Sequence, residues 1–132
     1  MEQIALPVTA LYSGSLALWF LVLSYRVVAR RRAGIPLGDG GDAGMLRLVR
    51  GHANFAEYVP LALIMLAVLE LAGTSLYLLH GLGLALLAGR LLHGYALSFT
   101  QRFGFGRFWG TVLTYGVLII EAIMCLRLAV IP

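Results

Sequence analysis

The chain has 132 residues, 61% of them hydrophobic and 12% charged, with a mean hydropathy of +0.91. This lies outside the soluble average and leaves room for one domain at most. The net charge of +4 comes from ten arginines against six acids, but the arginines fall between apolar runs and no nucleic-acid-binding module accompanies them, so nucleic acid is excluded as a partner.

Four apolar runs each approach the roughly 20 residues that cross a bilayer. The expected fold class is therefore all-α: an integral membrane four-helix bundle occupying residues 1–132 as a single domain. Cys125 is the lone cysteine, which rules out an intrachain disulfide and a cysteine-rich metal site. Met1-Glu2-Gln3 lacks the positive charge of a signal peptide, and no clear cleavage site follows the long apolar stretch.

In chain order, the first span is expected over residues 4–28, with Pro7 in its first turn. Arg26, Arg30, Arg31 and Arg32 form its basic flank. Residues 33–44 read as a loop because of their Gly and Pro content, and Asp42 is the expected N-cap of the next helix. The second span, 43–71, contains Pro60, which removes a backbone hydrogen bond and predicts a bend beside Glu57. The short turn Gly73-Thr74-Ser75 makes the second and third spans antiparallel neighbours. The third, 76–99, carries a small-residue ridge of Gly81, Ala85 and Gly89, which predicts close helix packing there. Gly104-Phe105-Gly106 is read as a break, with the fourth span running over 107–130. Phe105, Phe108 and Trp109 suit an interfacial aromatic belt.

Eight of the arginines lie in or near the 1–2 and 3–4 loops, and the 2–3 turn has none. The positive-inside rule puts those loops in the cytoplasm and both termini outside. A bacterial inner membrane is the expected location.

The anomaly is the start of the second span. At about 100° per residue, Arg47, Arg50, Asn54, Glu57 and Tyr58 share one side of the helix. Burying that side in lipid is expensive, so it is expected to face protein or a polar cavity. At 1.5 Å per residue, Arg50 sits roughly 8–10 Å and Glu57 roughly 18–20 Å below the cytoplasmic surface. On the third span, His93 and Arg90 sit roughly 9 and 14 Å below it. Arg90 is therefore expected to pair with Glu57, since a buried charge needs a partner. Tyr95, Ser98 and Arg102 fall within about 60° of one another if the helix continues, on a different side from Arg90 and His93. The resulting cavity suits a small peptide-like anion, because arginine forks onto carboxylates and Glu57 can accept from an ammonium or amide. His52 and His93 are expected to form hydrogen bonds; no spacing here makes a metal motif.

Arg47-x-x-Arg50-x-His52-x-Asn54-x-x-Glu57-Tyr58-x-Pro60 resembles the second-helix signature of the MAPEG family, membrane-associated proteins in eicosanoid and glutathione metabolism. The resemblance covers essentially the whole chain, including Arg30-Arg31 before the loop and Arg90-x-x-His93-Gly94-Tyr95 followed by Arg102. It implies a homotrimer with glutathione as co-substrate at each subunit interface, near the cytoplasmic side. It further implies that Arg30, Arg50, His52, Asn54, Glu57, Tyr58 and Tyr95 bind glutathione, and that Arg102 and Arg31 are catalytic, with Arg102 favouring the thiolate. Arg90, His93 and Arg47 form the supporting network. Two positions depart from leukotriene C4 synthase, a member of the family: His52 replaces a glutamine and Leu91 a tyrosine. The activity implied is a glutathione-dependent transferase or peroxidase acting on a lipophilic molecule from the bilayer. Competing readings are a non-catalytic lipid-binding or scaffold protein and a small multidrug-type transporter, although the first span lacks the acid on which such transporters rely.

Overall fold

The computed structural model describes residues 6–102 and 104–131. Within them the chain forms four helices: α1 (Pro7–Arg32), α2 (Ala43–Leu71), α3 (Leu76–Phe99) and α4 (Gly104–Val130). Each is long and apolar enough to cross a membrane. The bounds of α2 and α3 coincide with the sequence expectation. The two residues expected to open the first span, Ile4 and Ala5, lie outside the described residues. At its other end α1 continues through Arg30, Arg31 and Arg32 instead of stopping at Val28. Arginine is a good helix former, and cations are favoured where a helix's carbonyls point outward.

The fourth helix also differs from expectation. Gly104-Phe105-Gly106 does not interrupt it but forms its first turn. First-turn N–H groups lack intrahelical partners in any helix, so glycine there forfeits little. The interruption falls earlier, at Thr100, where α3 ends in extended backbone.

Local capping explains most of the boundaries. The Asp42 carboxylate accepts from the Met45 N–H at 2.6 Å and starts α2. Ser75 starts α3 through Leu78, after Gly73 has turned the chain at φ 77°. At α1 the N-cap is Leu6, which has no polar side chain to offer. Its first turn is held by Glu70 near the far end of α2, which accepts from the Val8 N–H (2.8 Å), the Thr9 N–H (2.7 Å) and the Thr9 hydroxyl (2.7 Å). The C-terminus of α3 has no basic residue in its own last turn. Arginines from two other helices serve it: the Arg26 guanidinium donates to the Ser98 carbonyl, and Arg47 Nη1 donates to the Thr100 carbonyl at 3.2 Å.

The helices α2 and α3 form the centre of the bundle. Each packs against the other and against both α1 and α4, while α1 and α4 stay on opposite flanks. Leu16, Leu66, Leu69 and Leu86 are fully buried between them. The backbones of α3 and α4 approach closely, since a Cβ added to Gly110 would stand 2.6 Å from the Gly89 carbonyl oxygen. The expected ridge is thus only partly right. Gly89 is a contact point, but Gly81 has open space around it, and Gly83 is the glycine against which the Tyr12 ring lies. Outward faces remain apolar, as at Leu18, Ile64, Ile119 and Ile123, which is consistent with a lipid environment.

Candidate functional site

The polar stripe of α2 meets α3 and α4 at the basic end of the bundle. Arg47, Arg50 and Asn54 from α2, His93 and Leu97 from α3, and Arg107 from α4 line a cavity of about 250 Å³. Helical spacing puts the α2 residues on one side, as expected. The Gly89–Gly110 contact lets α4 come close enough for Arg107 to join them.

Beneath the cavity, Arg90 is buried to 2% exposure. Its Nη1 donates to Asn54 Oδ1 at 2.6 Å and its Nη2 to the Gly110 carbonyl at 3.3 Å. The expected Arg90–Glu57 pair is not formed. Glu57 instead lies 4.0 Å from Arg50, both side chains being more than half exposed. The reason is rotational: Asn54 and Glu57 are three residues apart, and the amide carbonyl is the group that α2 turns towards Arg90. An exposed pair at that distance contributes about 0–1 kcal/mol, so Arg50 and Glu57 remain free to exchange partners for a ligand. The Arg90 bond also fixes the Asn54 amide. Its oxygen is engaged, so its N–H₂ is the end that can donate to a bound carboxylate.

The other expected site residues are dispersed within the single chain. His52 turns towards α1, with Nε2 3.0 Å from the Ser24 hydroxyl and its ring stacked on Phe20. Tyr58 bonds Tyr115 of α4, hydroxyl to hydroxyl, at 2.9 Å. Tyr95 is exposed and stacks on Phe99. Arg102 is exposed beyond the end of α3, so it does not extend a face shared with Tyr95 and Ser98; Ser98 itself is buried. Arg30 is paired with Asp42 at 3.0 Å, and Arg31 donates to the Gly38 carbonyl at 3.1 Å. His93 is buried and lines the cavity.

Sequence reasoning gave Tyr115 no part and treated Arg107 only as a topology signal. It also missed Trp19, whose indole N–H donates to the Arg90 carbonyl at 3.0 Å and ties α1 to the same point of α3. No periodicity singles out these partners, although an indole in an apolar span does need an acceptor. Among the described residues, no group of three His, Cys, Asp or Glu side chains could hold a metal ion.

A model of the MAPEG family matches residues 9–127. The chain belongs to the MAPEG family. It is a membrane protein of that family, with the whole of α2 and α3 inside the match. Among curated proteins it is similar to the inner membrane protein YecN of Escherichia coli K12, at 37% identity over 89 residues, 67% of this chain and 68% of that protein. The same protein from E. coli O6:H1 matches equally. No solved structure matches this MAPEG chain.

Proposed function

We propose that this chain is a glutathione-dependent transferase or peroxidase of the inner membrane, assembled as a homotrimer. The observation that carries the reading is the convergence of Arg47, Arg50, Asn54, His93 and Arg107 on one cavity in a MAPEG protein. Three guanidinium groups beside an amide donor suit the carboxylates of a small peptide. Glu57, loosely held by Arg50, suits the tripeptide's ammonium group. At about 250 Å³ the cavity is smaller than the roughly 300–1,000 Å³ of a complete ligand pocket. A neighbouring copy supplies the remainder, and exposed Tyr95 and Arg102 stand outside the single-chain cavity, available to such an interface.

In this reading Arg102 lies near the glutathione sulfur. A free thiol with a pKa near 8.5 is mostly protonated at neutral pH, and an adjacent cation favours loss of its proton to water. The thiolate then attacks an electrophilic carbon of a lipophile, forming a C–S bond as the leaving group departs. With a hydroperoxide it attacks the terminal oxygen and breaks the O–O bond, giving an alcohol and a sulfenic acid, which a second glutathione converts to disulfide and water. Arg31 supplies a second cation for the developing charge, and Arg30, His52 and Tyr58 complete the glutathione contacts across the assembly. The positive-inside rule places this end in the cytoplasm and both termini outside.

The test is purified protein with glutathione and either an aryl halide or a lipid hydroperoxide, alongside Arg50→Ala and Arg102→Ala. We expect weakened glutathione binding in the first variant and a lost thiolate signal in the second. Full activity in both refutes the site, and absence of glutathione binding by the wild type refutes the function. A second reading, a binding protein without turnover, is favoured by the exposed position of Arg102 outside the cavity lining. Binding without thiolate formation supports it.

A further inference from the structure

A second, larger cavity opens at the same basic end, on the α1 side. Its volume is about 740 Å³, and Arg26, Arg30 and Arg47 line it against a single carboxylate, Asp42. We propose that it binds a phosphate-bearing anion, either the headgroup of an anionic phospholipid or free phosphate. The proposal does not depend on thiol binding: Arg30 and Arg47 are shared with the proposed glutathione contacts, and its tests are run without thiol.

Four observations converge on this ligand class. The first is charge: three guanidinium groups face one acid, and that acid is occupied by Arg30 and by the first turn of α2. The second is an incompletely satisfied cation. Arg26 gives one donor to the Ser98 carbonyl and lies 4.3 Å over the Phe99 ring; its Nε–H is buried without an acceptor, so a ligand in the cavity meets the guanidinium through its terminal N–H groups. Guanidinium carries five donors in a fork that matches phosphate oxygens. The third is the start of α2, a 29-residue helix whose first residues, Ala43 and Gly44, form part of the wall. Asp42 caps one N–H of this N-terminus, so its first turn compensates the one acid of the wall. Gly44 keeps the approach open, since a Cβ at that position would lie 3.1 Å from an Asp42 oxygen and 4.0 Å from Arg30 Nη2. The fourth is the mixed lining. Tyr25, Leu48 and Leu97 give the cavity apolar walls beside the cations, as a headgroup joined to its glycerol requires. Basic pockets between membrane helices on the cytoplasmic side are a recurrent setting for such headgroups.

The experiment uses the full chain purified in detergent. Retention of phosphatidylglycerol and of phosphatidylcholine is measured by native mass spectrometry, and thermal unfolding is followed with and without inorganic phosphate. Arg26→Gln removes one of the three cations of the wall, and Ala33→Glu places a carboxylate on an exposed part of the wall without touching the cap of α3. A lipid ligand is supported if phosphatidylglycerol is retained over phosphatidylcholine and both variants lose it about tenfold, the equivalent of one charge-assisted contact. A free-phosphate ligand is supported if inorganic phosphate raises the unfolding temperature of the wild type and not of Ala33→Glu. Ala33→Glu carries the test if Arg26→Gln does not fold. The proposal is overturned if the two lipids are held equally and phosphate shifts nothing, or if Ala33→Glu leaves both readouts unchanged.

Discussion

Replacing Asn54 with alanine isolates what holds Arg90 in the bundle. Arg90 is 2% exposed, and its guanidinium has a 2.6 Å bond to Asn54 and a longer one of 3.3 Å to Gly110. Its Nε–H is buried without an acceptor, so the charge is already short of partners. Hydrogen bonds to charged groups contribute about 1.5–3 kcal/mol, and removing one partner leaves the other's desolvation uncompensated. Asn54→Ala is therefore expected to destabilise the protein by about 2–3 kcal/mol. Arg90→Met removes the buried charge and fills much of the same volume. In Asn54→Ala/Arg90→Met the orphaned cation is gone, so the double variant is expected to be more stable than Asn54→Ala alone. Unfolding in detergent micelles without thiol, run as a double-mutant cycle, measures the coupling. Additivity of the two substitutions within about 0.5 kcal/mol refutes the claim that the pair acts as a unit.

Gly110→Ala drives a methyl group into the α3 backbone around Gly89 and His93, where no side-chain movement relieves it, and is expected to cost about 1–3 kcal/mol. Gly81→Ala has open space within the chain and is expected to be neutral or to gain about 0.5–1 kcal/mol in the same unfolding assay. Glu70→Ala removes three acceptor contacts from the start of α1 and is expected to cost about 1–2 kcal/mol, with faster hydrogen exchange confined to that first turn. The Met45 N–H, aided by Arg30, holds the Asp42 carboxyl below its ordinary pKa. A depressed folded-state pKa means that its contribution is complete above about pH 4, the unfolded carboxylate value, and disappears as pH falls through the lower folded value. Asp42→Ala is expected to flatten that part of the stability profile, and an unchanged acid limb rejects the assignment.

Local chemistry was legible in the sequence wherever one residue sets a boundary. Asp42 and Ser75 start α2 and α3 at the expected positions because an N-cap acts only a few residues along the chain. The polar side of α2 was legible for the same kind of reason, since helical period alone brings Arg47, Arg50 and Asn54 together. What periodicity does not contain is the rotation of one helix against another. Depth put Arg90 level with both Asn54 and Glu57, and only the packing of α3 on α2 chose the amide. The same limit hid Tyr115 behind Tyr58 and Glu70 behind Thr9. These bonds join residues about 60 positions apart, with no spacing rule between them. Glycines were legible as close-packing devices, but which ones make contact depends on that same rotation: Gly89 does and Gly81 does not.

The arginines that signal topology also solve a structural problem at the basic end. Two helices, α1 and α3, finish there with outward carbonyls and the negative end of a helix dipole. The last turn of α1 carries its own Arg30, Arg31 and Arg32, while α3 has none and is served by Arg26 and Arg47 from its neighbours. The other two helices start at that end: the N-terminus of α2 is capped by the Asp42 carboxylate, whereas α4 has no acid in its first turn. The arginines that cap α1 and α3 and the N-terminus of α4 add in sign. Both cavities open into that field, one against α4 and one against α1, and Arg47 and Leu97 stand between them. A positive potential at this end therefore follows from how the bundle closes its helix ends, and the ligand proposed for each cavity is the one its own side chains suit.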